Sequence, residues 1–463
     1  MSGIGLIFAF VIAIIVMILA ISKLKIHPFL SIMGISVILG LLAGIPLVNQ
    51  TAADGTVTLG LANVIGAGFS GTFTSIGIVI ILGALIGSIL EATGAALKLA
   101  DLVIKLVGPN HPELAVELMG WVVSIPVFCD SGFVILNPIR KAMVRRTGTS
   151  SVAMTVALSA GLYASHVFIP PTPGPIAAAN TLGIGNNLLL VMGLGVIVSI
   201  PALVGAYFYA KYIGKTVKSA DELNRDETVK TYEEIVAEYG KLPSSWSSLA
   251  PIIVPILLMA LGSIASMAKW KGLLFDLSSF LGTPIIALAV GTLFGVWLLH
   301  VSHKMGKFYD LTNDTLKTVG PILFVTAAGG VLGKVISVSG MVAFITENSS
   351  MLEAIGIFFP FILSAILKSA QGSSTVALTT TAGILAPLMG ALGLSSPVMS
   401  ALTVMAIGAG AMTVSHANDS YFWVVTNFGE MTPQQGYKTQ TLVTLVEGVC
   451  SILGIFVLSL FLR

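Results

Sequence analysis

The chain has 463 residues, of which 55% are hydrophobic and only 10% charged, with a formal net charge of +2. A soluble domain carries roughly 25% charged residues, so this chain lacks the charge to cover a water-facing surface, and its near-neutral balance gives no case for nucleic acid. Two cysteines, Cys129 and Cys450, both in apolar segments, exclude a disulfide framework and a metal pair.

Many runs are about 20 residues long and nearly free of charge, enough to cross roughly 30 Å of hydrocarbon as helix. The alternating strands of a transmembrane β-barrel are missing. The sequence therefore predicts an all-α polytopic membrane protein. Residues 3–21 form a first span; the run is too long, and lacks the basic leading region, for a signal peptide. Lys23 and Lys25 follow, then a span over 29–47 and a polar loop, 49–58, without Lys or Arg. The positive-inside rule puts the lysine loop in the cytoplasm and the N-terminus outside. A third span is expected over 76–90, with Lys98 and Lys105 on the cytoplasmic side.

Residues 114–138 are apolar but contain Pro126 and then Cys129-Asp130-Ser131-Gly132, and they end at the basic cluster Arg140, Lys141, Arg145 and Arg146. A run that begins and ends on one side predicts a re-entrant hairpin with its tip at Asp130 to Gly132; a single kinked helix is the alternative. A helix over 152–164 leads to Ser165-His166 and to Pro170, Pro171, Pro173 and Pro175. Those prolines cannot sit in a helix interior, so a broken helix is expected. The span 188–210 closes the first half. Residues 211–248 are hydrophilic and read as a cytoplasmic connector, helical near 229–239.

The second half repeats the plan. Spans cover 249–268 and 284–300, with His303, Lys304 and Lys307 cytoplasmic, and a further span covers 318–338. A second hairpin enters over 352–367, turns at residues 369–375 and returns over 376–392. The run 397–414 leads into Ser415-His416-Ala417-Asn418-Asp419-Ser420, whose Ser-His pair lies 250 positions after Ser165-His166. The last span is 442–462. The layout is two inverted-topology repeats, 1–210 and 249–463, with two re-entrant hairpins and broken helices, joined by the linker 211–248 and with both termini outside. Inverted repeats with discontinuous segments bind substrate near the bilayer midplane in many secondary transporters.

Helix starts at such breaks present free N–H groups and a positive dipole end, which suit an anion. Candidate substrate contacts are Asp130, Ser131, Gly132, His166, Thr172, Gly372, Ser373, Ser374, Thr375, Asn418 and Asp419. Ionisable groups inside a membrane are expensive and default to function, so Asp130, Asp419, His166 and His416 are the candidates for proton coupling. Lys334, Glu347, Lys368 and Glu430 are assigned to the membrane interfaces as structural groups. The chain carries no Gly-x-x-x-x-Gly-Lys-Ser/Thr, which excludes ATP-driven transport by this chain. It carries no His-Glu-x-x-His and no Gly-x-Ser-x-Gly, which argues against an intramembrane hydrolase. The duplicated breaks favour alternating access over a channel.

These landmarks resemble the gluconate permease (GntP) family of the ion transporter superfamily. The resemblance is carried by residues 128–134, by Ser165-His166 through Pro175, by 372–377, and by Ser415-His416-Ala417-Asn418-Asp419-Ser420-Tyr421-Phe422-Trp423. It implies proton-coupled uptake of gluconate or a related small hydroxy-carboxylate across the bacterial inner membrane, with no cofactor beyond the proton. It also implies an elevator-like motion and a homodimer in the lipid bilayer. The family often has Glu at the position of Asp130 and His at that of Thr172, so the implication is the hydroxy-acid class rather than one sugar acid. Related sodium-coupled dicarboxylate carriers use Ser-Asn-Thr hairpin tips. Neither candidate tip has one, which favours protons over sodium. A sodium-coupled carboxylate carrier or a D-serine-like amino-acid carrier is the alternative on the same scaffold.

Overall fold

The computed structural model describes residues 4–51, 54–108, 111–223, 234, 242–341, 343–344, 356–416 and 419–462. The first half comprises α1 (Ile4–Ser22), α2 (Pro28–Leu42), α3 (Leu61–Thr93), α4 (Ala95–Val107), α5 (Pro112–Val123), α6 (Cys129–Thr147), α7 (Ser151–Phe168), α8 (Pro173–Thr181) and α9 (Leu188–Thr216). The second half comprises α10 (Ser245–Met267), α11 (Leu273–Gly282), α12 (Pro284–Val301), α13 (Phe308–Val338), α14 (Phe358–Gln371), α15 (Ser374–Leu385), α16 (Pro397–Met412), α17 (Ser420–Phe428) and α18 (Leu442–Phe461). A two-residue antiparallel pair, Gln50–Thr51 with Val57–Thr58, closes the polar loop after α2. Among the described residues, eight helical stretches are long and apolar enough to cross a membrane.

Local chemistry sets the helix ends. Ser150 accepts a hydrogen bond from Ala153 N at the start of α7, and Ser396 does the same for Met399 N at the start of α16. Each satisfies a backbone donor that the first turn leaves free. Proline opens α2, α5, α8, α12 and α16, where its missing N–H costs nothing.

The centre of the molecule is α7 against α16. All of α7 is buried, as is α16 from Met399 onward. Gly408 lets the two backbones meet, since a Cβ there would lie 2.6 Å from the Val167 carbonyl oxygen. Among the helix pairs that join the halves are α3 with α13, α3 with α12, α2 with α13, α7 with α16 and α9 with α18. Contacts of α15 with α8 and of α6 with α17 do the same. The outer faces carry exposed Phe8, Ile12, Ile15, Leu293 and Trp297. Such faces are stable against lipid, not against water.

Several details differ from the sequence-based expectation. The first break lies at residues 124–128, ahead of Asp130, which sits in the first turn of α6. Pro126, lacking an N–H, stops α5, and an acidic residue in a first turn favours the helix that follows. Helix α3 is a 33-residue element rather than a span over 76–90. At 1.5 Å per residue it is about 50 Å long, more than the hydrocarbon thickness. Arg140 is fully buried, not solvated with its neighbours, and donates to Asn137 Oδ1 (2.8 Å) and to Ser151 Oγ (2.5 Å) and O (3.2 Å). Helix α9 runs through Lys211 to Thr216, and α10 begins at Ser245, so the connector is shorter than 211–248. The helix expected near 229–239 and the start of the 352–367 arm lie outside the described residues.

Candidate functional site

Four helix starts meet where the breaks converge. Asp130 and Ser131 begin α6, Thr172 precedes α8, Ser373 precedes α15 and Asp419 precedes α17. Two of these starts are closed by their own side chains: Ser373 Oγ accepts from Val376 N, and Asp419 Oδ1 from Tyr421 N (3.1 Å). The starts of α6 and α8 have no side-chain cap among the described residues; in α8, Pro173 and Pro175 carry no N–H, which leaves Gly174 as the one donor in its first three positions.

Asp419 is the best-held group. It is 4% exposed, and its Oδ2 accepts from Ser415 Oγ (2.5 Å) and from Lys368 Nζ (2.5 Å). Lys368 is fully buried on α14 and also donates to the Gly372 carbonyl (2.7 Å). This one ammonium ties the α14–α15 turn to the break before α17. Its assignment as an interfacial structural group is thereby corrected: the sequence places it 51 residues from Asp419, and only the fold brings them together. Ser415 is fixed in turn, its N–H donating to Thr444 Oγ1 (2.9 Å) and its carbonyl accepting from Thr441 Oγ1 (2.6 Å). Val414, next to it, has φ +60°, an uncommon backbone state for a β-branched residue.

Asp130 is held more loosely. Ser420 Oγ donates to its Oδ1 (3.2 Å) and the Cys129 thiol approaches its Oδ2 (3.6 Å). The Asp419 carboxylate is within electrostatic range. Glu91, at the end of α3, faces Ser131. His166 is 4% exposed and stacks between Tyr163 (6.4 Å) and Phe128 (5.9 Å), within range of Asp419. Its Nδ1 has no partner among the described residues. Tyr163 lies beside Ser374 and packs on Tyr421 (5.0 Å), whose hydroxyl donates to Ser159 O (2.9 Å). Thr172 is buried and donates to Ile169 O (2.7 Å). Beside it, Gly174 faces α15: a Cβ there would lie 2.7 Å from Leu378 Cδ1 and 3.7 Å from Thr375 Cα.

Of the residues singled out in the sequence, Asp130, Ser131, His166, Thr172, Ser374, Thr375 and Asp419 thus surround one region. Gly132 packs against Leu162, where a Cβ would come within 2.6 Å of its Cδ2. Gly372 has φ +88° and ends α14. His416 is half-buried beside the backbone of Ser369, and its carbonyl accepts from Asp419 N (2.8 Å). Asn418 lies outside the described residues, as does Glu347. Lys368, Tyr163, Tyr421 and Glu91 escaped the sequence reading. The two tyrosines sit among apolar neighbours in helical runs, where an aromatic reads as core.

The arrangement offers an anion two open helix starts, four hydroxyls and one buried cation, flanked by two carboxylates. A family model described as GntP family permease matches residues 5–461. The inner membrane permease YgbN of Escherichia coli (strain K12) is 31% identical to the chain, covering 97% of each protein. The gluconate permease of Zymomonas mobilis is 30% identical, covering 96% of this chain and 95% of that protein. The D-serine transporter DsdX of Escherichia coli (strain K12) is 28% identical, covering 99% of each. Among solved structures, the Alcanivorax borkumensis YdaH transporter superposes with a TM-score of 0.61 at 17% identity, covering 94% of this chain and 97% of that one. MtrF of Neisseria gonorrhoeae superposes with a TM-score of 0.63 at 14% identity, covering 95% and 96%. At those identities the likeness shows the fold, an all-helical multi-span membrane architecture.

Proposed function

The chain belongs to the GntP permease family, a family of transporters and not of enzymes, and on that premise we propose that it is a secondary active symporter carrying gluconate or a related small hydroxy-carboxylate inward with protons. The observation that carries this reading is the meeting of two uncapped helix starts with the Lys368–Asp419 pair and Asp130. In this reading the substrate carboxylate lies at the starts of α6 and α8, and its hydroxyls bond Ser131, Thr172, Ser374 and Thr375. Asp130 and Asp419, with His166 or His416, handle the proton. Burial raises a carboxylate toward neutral pH unless a cation holds it ionised. Asp130, which has no such cation among the described residues, is the better proton carrier.

The same reading makes the two halves inverted repeats, with α5–α6 and α14–α15 as re-entrant hairpins. The paired helices and crossed contacts between halves support it. An elevator-like motion, a homodimer, residence in the bacterial inner membrane, outward termini and a cytoplasmic connector complete the proposal. A D-serine-like substrate is the second reading, favoured by the DsdX relative. A zwitterion offers the same carboxylate and adds an ammonium, for which Asp130 and Glu91 are the available partners.

The test is uptake of labelled gluconate into proteoliposomes, with and without an inward proton gradient, competed by hydroxy-acids, dicarboxylates and amino acids. Gradient-driven uptake blocked by sugar acids supports the proposal. Uptake driven by sodium overturns the coupling ion, and competition by D-serine alone overturns the substrate.

A further inference from the structure

Two carboxylates outside this site have no compensation. Glu117 on α5 and Glu447 on α18 are each 0% exposed, and none of their four oxygens has a hydrogen-bond partner among the described residues. They lie within electrostatic range of each other. Small residues bring them inward: a Cβ at Gly161 of α7 would lie 1.9 Å from the Glu117 carbonyl oxygen, so α5 sits directly on α7 there. The other titratable groups that act on Glu447's surroundings are Tyr421 from α17 and Cys450 on α18 itself, and neither is a cation. No lysine, arginine or histidine acts on either carboxyl among the described residues. Two neighbouring ionised carboxylates without a cation are untenable in a dry interior. Two neutral acids, or one acid and one carboxylate, are what the site can hold.

We propose that Glu117 and Glu447 form a second proton-binding site, separate from Asp130 and Asp419, in which at least one of two buried carboxyls carries a proton. Glu117 is among the residues lining a groove of about 560 Å³, together with His111 and Tyr207. The same end of the molecule brings Lys211 near Glu113. Uptake forms one O–H bond on Glu117 or Glu447 with a proton from hydronium, which becomes water. Release breaks that bond and returns the proton to water. Tyr421 connects the pair to the substrate region, since it is within range of both Glu447 and Asp130 and bonds Ser159 on α7. Ser159 Oγ donates to Gln440 Oε1 (2.5 Å), on the π-helical turn Tyr437–Thr441 that leads into α18. The role in transport rests on the proton-coupled reading above; the bound proton itself does not.

Two measurements on the full chain in lipid test this. Infrared spectroscopy is expected to show, at neutral pH, a protonated-carboxyl C=O band that shifts in heavy water and is lost in the E117Q/E447Q protein. Uptake by E117Q/E447Q is expected to lose its response to a proton gradient while gluconate counterflow persists. A wild-type spectrum without that band, or one that E117Q/E447Q leaves intact, overturns the proposal even if proton-driven uptake stands. The band present with gluconate uptake indifferent to the gradient supports the bound proton and overturns the coupling reading instead.

Discussion

The two halves hold their breaks by different physics. In the second half, the turn after α14 is tied across to α17 by a buried ion pair, Lys368 with Asp419, backed by Ser415 and the Tyr421 N–H. In the first half no cation among the described residues reaches Asp130, which has a hydroxyl and a thiol. There the backbone itself is wedged. A Cβ at Gly87 would lie 2.1 Å from the Pro126 carbonyl oxygen, and one at Gly83 would lie 2.7 Å from that of Pro171. Helix α3 thus braces both first-half breaks by contact. One carboxylate is held by a buried lysine and a hydroxyl, and the other by a hydroxyl and a thiol alone.

The comparison is broken most severely at Lys368. K368M leaves the Asp419 carboxylate buried without a cation, and a loss of about 3–5 kcal/mol is expected, read as a lowered midpoint of unfolding in detergent. K368M/D419N removes both charges and should recover most of that loss while transport stays absent. A double variant as unstable as K368M refutes the clamp. Next in size is G87A, which forces α3 off the first break and should cost about 1–3 kcal/mol, with a control substitution at Gly5, where nothing lies within 4 Å, near zero. D130N should change stability by less than about 1.5 kcal/mol yet abolish proton-driven uptake while sparing exchange. An unaltered gradient response in D130N would assign the proton elsewhere. D419N is expected to lose coupled uptake and stability together, since it leaves the Lys368 ammonium unpaired. The smallest effect belongs to S373A, which removes the cap of α15 and should cost about 1 kcal/mol with substrate affinity little changed.

Much of this was written locally in the chain. Prolines at 170–175 announce a broken helix because they cannot continue an i→i−4 ladder, and the polar run after Val414 stands out because polar and ionisable groups are expensive in lipid. The GntP resemblance was carried by those same segments. What escaped was set by distant partners. Lys368 looks like an interfacial lysine at the end of an apolar run, and nothing nearby says that Asp419 waits for it. Glu117 and Glu447 look like isolated acids in spans 330 positions apart. The first break was misplaced because Asp130-Ser131-Gly132 reads as a turn, whereas Pro126 stops the helix and those residues start the next one. Helix α3 was read short because its first third is rich in Gly, Ser and Thr, which tertiary packing overrides.

The most direct measurement is proton movement on adding gluconate to proteoliposomes, followed with a pH-sensitive dye, for the wild type and for D130N. The account predicts that gluconate drives protons into wild-type vesicles and that D130N exchanges gluconate without moving them. Proton movement in D130N equal to that of the wild type, or none in a wild type that still accumulates gluconate, would contradict it.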